Sequence, residues 1–230
     1  MRVGVRKLQD ESIERQRTRI KISSRLTPHS FSDIIFGLAL SIGALFLTQN
    51  KVLTWQDFAW SVVLFGFSFL VLAITWLLFS RTMSALLSEA SSVLFLNLVL
   101  LFCVALEPYL FYMLMNGATQ NLLSFTSVGY ALDVGFMFVI LAMLASLVLK
   151  REEATDLEDN RPRLHARALQ SFRHMMIAES AVGALFLVSA FPIFWIPTPI
   201  GHLRFVLWYA SFLVFLFHAL AGHPKSTKRE

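Results

Sequence analysis

Apolar residues gather into six runs, 31–49, 58–79, 91–114, 125–149, 175–197 and 203–221, each nearly free of charge and set apart by polar segments. Each run is close to the about 20 residues that cross a hydrocarbon layer of about 30 Å as a helix. None alternates with the period of two that barrel strands require, and lipid offers the backbone no hydrogen-bond partner, so each run is predicted to be a transmembrane helix. The expected fold class is all-α: an integral, multi-pass protein of the cell membrane whose six-helix domain spans 31–222.

Composition agrees with that pattern. Of 230 residues, 56% are hydrophobic and 22 are Phe, with a mean hydropathy of +0.63, more apolar surface than a water-soluble domain of this length can bury. Charge then orients the bundle. Eight Lys or Arg precede the first run, six lie between Lys150 and Arg173, one is Arg81 and three follow the last run, while the opposite loops hold only Lys51 and Arg204. A split of 18 to 2 places both termini in the cytoplasm. The pI near 9.7 invites a nucleic-acid partner, but the basic residues sit in short juxtamembrane segments that also carry Asp and Glu. Topogenesis and contact with anionic lipids account for them, and no nucleic-acid partner is expected.

Three segments are expected to lie in the cytosol: a basic N-terminal stretch at 1–30, a linker at about 150–173 and a tail at 223–230. The first is mixed in sign and lacks the features of a cleaved leader. Cys103 is the single cysteine, so neither an internal disulfide nor a Cys-based zinc site is expected, and His165, His174, His202 and His218 have no ligand spacing with carboxylates; no metal or other cofactor is expected. No Gly-x-Ser-x-Gly elbow, phosphate loop or His-Glu-x-x-His helix is present, and an enzyme is not expected. The stretch 126–131, Thr-Ser-Val-Gly-Tyr-Ala, faintly echoes a carbonyl-lined potassium filter, but it lacks the second glycine and any room for a re-entrant helix before it.

Polar residues inside the runs are the candidates for function, because lipid makes them costly. They are Asp33, Ser41, Ser68, Asn97, Glu107, Asp133 and Glu179. Asp33 falls in the first turn of helix one, after Pro28, where a carboxylate suits the helix dipole. Asn97 is expected to bond a neighbouring helix. Glu107 and Asp133 lie toward the outer side and are expected to reach headgroup water.

Three landmarks, in order and on successive helices, resemble the potassium channels of the transmembrane protein 175 type in their prokaryotic, single-repeat, six-helix form. Phe31-Ser32-Asp33 before a small-and-aliphatic helix is similar to the signature of helix one. Ser68-Phe69 with Trp76 eight residues after the serine resembles the pattern of helix two, and Asn97 followed by Pro108 eleven residues on resembles that of helix three. The resemblance covers about the first half of the chain. Thr27 stands where the family has Arg, the nearest base being Arg25; Phe79 stands where it tends to carry His, and Ser41 where it usually has Thr.

The resemblance implies a homotetramer in lipid whose first helices line one pore for potassium, without a carbonyl filter. Leu38, Ser41, Ile42 and Leu45 share one face of helix one at i, i+3, i+4 and i+7. A ring of Leu38 side chains would make a hydrophobic gate, and Ser41 hydroxyls beneath it would replace part of an ion's hydration shell. Two alternatives stay open: a proton-coupled transporter carrying charge on Asp33, Glu107, Asp133 and Glu179, and a non-conducting membrane scaffold.

Overall fold

The computed structural model describes residues 31–48, 54–86, 91–116, 119–156, 162–198 and 201–221. Thr27, Pro28 and Arg25, the N-terminal segment 1–30 and the tail 223–230 lie outside these residues. The chain is nearly all helix. In order come α1 (Phe31–Thr48), α2 (Trp55–Ala85), α3 (Ser91–Met115), α4 (Gln120–Asp156), α5 (Pro162–Ser189) and α6 (Leu203–Ala221). Between α5 and α6 sit a single 3-10 turn, Pro192–Phe194, and a minimal antiparallel hairpin pairing Pro197 with His202 and Thr198 with Gly201.

Among the described residues, α1 to α5 are each long and apolar enough to cross a membrane. Their outward faces say the same. Leu94, Phe95, Leu98 and Phe102 of α3 and Phe125, Leu132, Phe136 and Met143 of α4 are exposed at helical spacing. Continuous apolar stripes of that size on the outside suit lipid, not water.

Helix boundaries differ from the expectation where polar residues continue a helix past its apolar run. The α2 helix starts three residues earlier, at Trp55, because Thr54 and Asp57 form a capping box: the Asp57 N–H donates to Thr54 Oγ1 at 3.2 Å and the Thr54 N–H donates to Asp57 Oδ2 at 3.0 Å. Both flanks of the 150–173 segment are helical, since α4 runs to Asp156 and α5 begins at Pro162. The 126–131 stretch lies inside α4, so its carbonyls belong to the helix ladder.

The α4 helix is the centre of the bundle and packs most extensively against α5 and α3. Glycine makes the α4–α5 contact close. A Cβ on Gly183 would come 3.2 Å from the Gly135 carbonyl oxygen, and one on Gly135 would come 2.8 Å from the Leu187 side chain. Small residues at a crossing let two backbones approach where lipid supplies no hydrophobic drive between helices. The core around α4 is built from Val104, Tyr130, Met137, Phe138, Leu141 and Phe186.

The α1 helix leans on α2 and α3 along one side. Phe36 and Ala39 are buried, Phe36 packs on Phe79 at 5.8 Å between ring centroids, and Phe46 stacks on Tyr112 at 4.4 Å. Phe79, where the resembling family tends to place a histidine, thus joins α1 to α2 by an aromatic contact.

Candidate functional site

Three polar clusters are held between the helices. The first links α1 to α2. Asp33 Oδ1 accepts from Trp76 Nε1 at 2.9 Å, which joins two of the signature residues across 43 positions of sequence. Ser32 beside it is buried, Phe31 is exposed at the helix start, and Phe69 is exposed on α2. On the far side of α1, Leu38 is 58% exposed and Leu45 56% exposed; Ser41 is exposed too and Ile42 is half-buried. The outward line therefore runs Ile34, Leu38, Ser41, Leu45 rather than through Ile42. Ser41 Oγ donates to the Gly37 carbonyl at 2.8 Å, so its hydrogen is spent within the helix while its oxygen lone pairs stay free to face outward.

The second cluster lies between α2, α3 and α4. Ser68 Oγ is placed 2.8 Å from Glu107 Oε1 and 3.1 Å from Oε2, donating to the carboxyl, and the Tyr130 hydroxyl donates to Oε1 at 3.1 Å. Glu107 is fully enclosed, at 0% exposure, and Asp133 is 6% exposed. The expectation that both reach headgroup water is therefore corrected: helix packing turns them inward, where donors await Glu107. Cys103 of α3 and Asp133 of α4 are buried beside each other, one turn along from that pair. The geometry follows from spacing, since Cys103 and Glu107 are four apart on α3 and Tyr130 and Asp133 three apart on α4, so two antiparallel helices present one pair to the other. Tyr130 is fixed by rings of Trp208 at 5.1 Å, Phe111 at 5.8 Å and Phe67 at 6.5 Å.

Pro108 follows Glu107 inside α3 and has no N–H for the Val104 carbonyl. Asn97 is buried on the same helix, and its Oδ1 has no hydrogen-bond partner. Glu179, on α5, is also at 0% exposure, and neither of its carboxyl oxygens has a hydrogen-bond partner.

The third cluster sits at the α5–α6 end and centres on Arg204. Sequence counting treats it as a loop charge, whereas its side chain is fully buried. Nε donates to the Ser189 carbonyl at 2.7 Å, Nη2 to the Ala190 and Phe191 carbonyls at 3.2 Å each, and Nη1 to Ser127 Oγ. A helix end leaves carbonyls without partners and carries partial negative charge, and a guanidinium answers both. Trp208 Nε1 donates to Ser189 Oγ at 2.8 Å, and the Trp195 ring lies 5.2 Å from the guanidinium carbon. Arg204 thus caps α5, which stops at Ser189, eight residues short of the expected Pro197 and just before Pro192, which opens the 3-10 turn and has no N–H to continue the helix.

The Ser68–Glu107 pair has a signal in the sequence that depth counting could have found. Ser68 lies 17 residues before the end of α2 at Ala85, and Glu107 lies 16 residues after the start of α3 at Ser91. In an antiparallel hairpin those positions fall at one depth, within about 1.5 Å. Nothing comparable marks Arg204, whose partners are three backbone carbonyls and the Ser127 hydroxyl.

Comparison with models of protein families, with curated proteins and with solved structures finds no match.

Proposed function

We propose that the chain is a potassium-permeable cation channel of the cell membrane, formed by four copies with α1 of each subunit facing a common pore. All six helices cross the bilayer in this reading, with both termini in the cytoplasm. One observation carries it: α1 keeps an outward face of Ile34, Leu38, Ser41 and Leu45 uncovered while Phe36 and Ala39 on its other side are packed into the subunit.

That face has the composition a filterless pore needs. Four Leu38 side chains around an axis form a constriction that resists wetting, and four Ser41 oxygens one turn along offer acceptor lone pairs to a dehydrating cation. The Asp33–Trp76 bond ties α1 to α2 near the pore entrance, so Asp33 serves assembly rather than selection. The cytoplasmic end is supported by Arg81 of α2, which lines one groove with Phe172 and Met175 of α5 and so shares an end of the bundle with the basic 150–173 segment.

Potassium flux through the purified protein in liposomes tests this, with sodium as the comparison. Passive potassium flux is expected, raised by Leu38→Ala and Leu38→Asn. Flux that requires a proton gradient would replace the channel by proton-coupled transport, and no flux under either gradient would leave a non-conducting scaffold.

A further inference from the structure

We propose that Ser68, Cys103, Glu107, Tyr130 and Asp133 form a proton-binding site inside the subunit, with Glu107 as its charged member and Asp133 as the member that takes up and releases the proton.

The two carboxyls are enclosed in the same polar cluster, between helices that elsewhere present apolar side chains. Among the described residues no cationic side chain bonds to Glu107, whose partners are Ser68 and Tyr130, or to Asp133. The groups that act on the pair are Ser68 from α2, Cys103 from α3 and Tyr130 from α4; Tyr209 of α6 acts on Tyr130. Arg204, the basic side chain at that end of α6, spends its guanidinium on α5 carbonyls and Ser127. Two carboxylates enclosed together without a counter-cation are strongly unfavourable, so the cluster must hold positive charge from outside. A proton on one of the two carboxyls removes the repulsion without requiring any further ligand.

Hydrogen bonding decides which carboxyl takes it. Glu107 receives donors on both oxygens, an arrangement that favours the ionised form. Asp133 Oδ2 has no partner at all, although the residue is more than nine-tenths buried. Protonating an oxygen that accepts no hydrogen bond breaks none, whereas protonating Glu107 would disturb the bonds from Ser68 and Tyr130, and either removes a charge from the pair. The step is a simple equilibrium: water supplies the proton to Asp133, and the same oxygen returns it. No residue of the outward α1 face enters this site, so its test stands or falls apart from the channel reading.

Infrared spectra of the full chain in lipid bilayers, recorded across pH, test the assignment. The unsubstituted protein is made once with carbonyl-labelled aspartate and once with carbonyl-labelled glutamate, which separates Asp133 from Glu107 and Glu179 without altering the fold. The expected result is a carboxylic-acid stretch that moves with the aspartate label, shifts in heavy water, fades as pH rises and is lost in Asp133→Asn. In Glu107→Gln the band should still move with the aspartate label but fade at lower pH, because the neighbouring charge that favours the protonated form is gone. The absence of an aspartate-dependent band overturns the proposal, as does one that neither exchanges nor titrates while the protein stays folded, or one that survives in Asp133→Asn.

Discussion

Replacing Arg204 by Met keeps the length and much of the volume of the side chain but removes every donor it offers. The Ser189 carbonyl at 2.7 Å and Ser127 Oγ are then left without their partner in a buried setting, while the Ala190 and Phe191 carbonyls, at 3.2 Å and part-buried, can turn to water or headgroups. Hydrogen bonds to a charged group contribute about 1.5–3 kcal/mol each, so the two buried ones together set a loss of about 3–6 kcal/mol. The cation's contact with Trp195 adds less than about 1 kcal/mol. For a chain of this length about 2–4 °C of melting temperature follows each kcal/mol, which places the expected fall at about 6–24 °C. Thermal unfolding in one detergent, followed by circular dichroism, measures it. Arg204→Lys should lose about half as much, because one ammonium cannot reach both sides of the helix end. A fall below about 3 °C for Arg204→Met would refute the reasoning: it would mean that α5 finds other partners for its terminal carbonyls and that the charge is dispensable.

Four further outcomes follow from the same contacts. Ser68→Ala takes one donor from both Glu107 oxygens and should cost about 1–3 kcal/mol in the same melt, whereas Ser68→Thr should cost less. Gly183→Ala drives a methyl to 3.1 Å from Val139 and 3.2 Å from the Gly135 carbonyl, so α4 and α5 must part; a loss of about 1–3 kcal/mol is expected, and a neutral result would show that the crossing can relax. Trp76→Phe removes the donor to an exposed Asp33 and should cost only about 0.5–1.5 kcal/mol, yet Asp33→Ala and Trp76→Phe should share a loss of tetramer in native mass measurements if the bond serves assembly. Leu38→Asn should raise resting potassium flux in liposomes, and parent-like flux would place the gate elsewhere.

Much of the architecture is legible in the chain itself, because lipid imposes a single rule: an apolar run of sufficient length must satisfy its own backbone as a helix. The helices, five of them long and apolar enough to cross a membrane among the described residues, come from that rule, and the 18 to 2 distribution of basic residues comes from counting. Helix ends did not, since capping by Thr54 and Asp57, or by an arginine reaching back from α6, is a matter of a few atoms. The signature residues Asp33 and Trp76 could be named from their spacing, but their bond depends on how α1 leans against α2.

The same division runs through the polar residues. Sequence alone marks Glu107, Asp133, Glu179 and Asn97 as unusual, because each interrupts an apolar run. It does not say which way any of them points, since helices that are apolar all round carry no stripe to mark the inward face. Tertiary packing made that decision: it set Ser68 and Tyr130 on Glu107, left Asp133 and Glu179 with unpartnered oxygens, and turned Leu38, Ser41 and Leu45 outward. Apolar length specifies a helix locally, whereas the rotation of that helix is chosen only by the neighbours it meets.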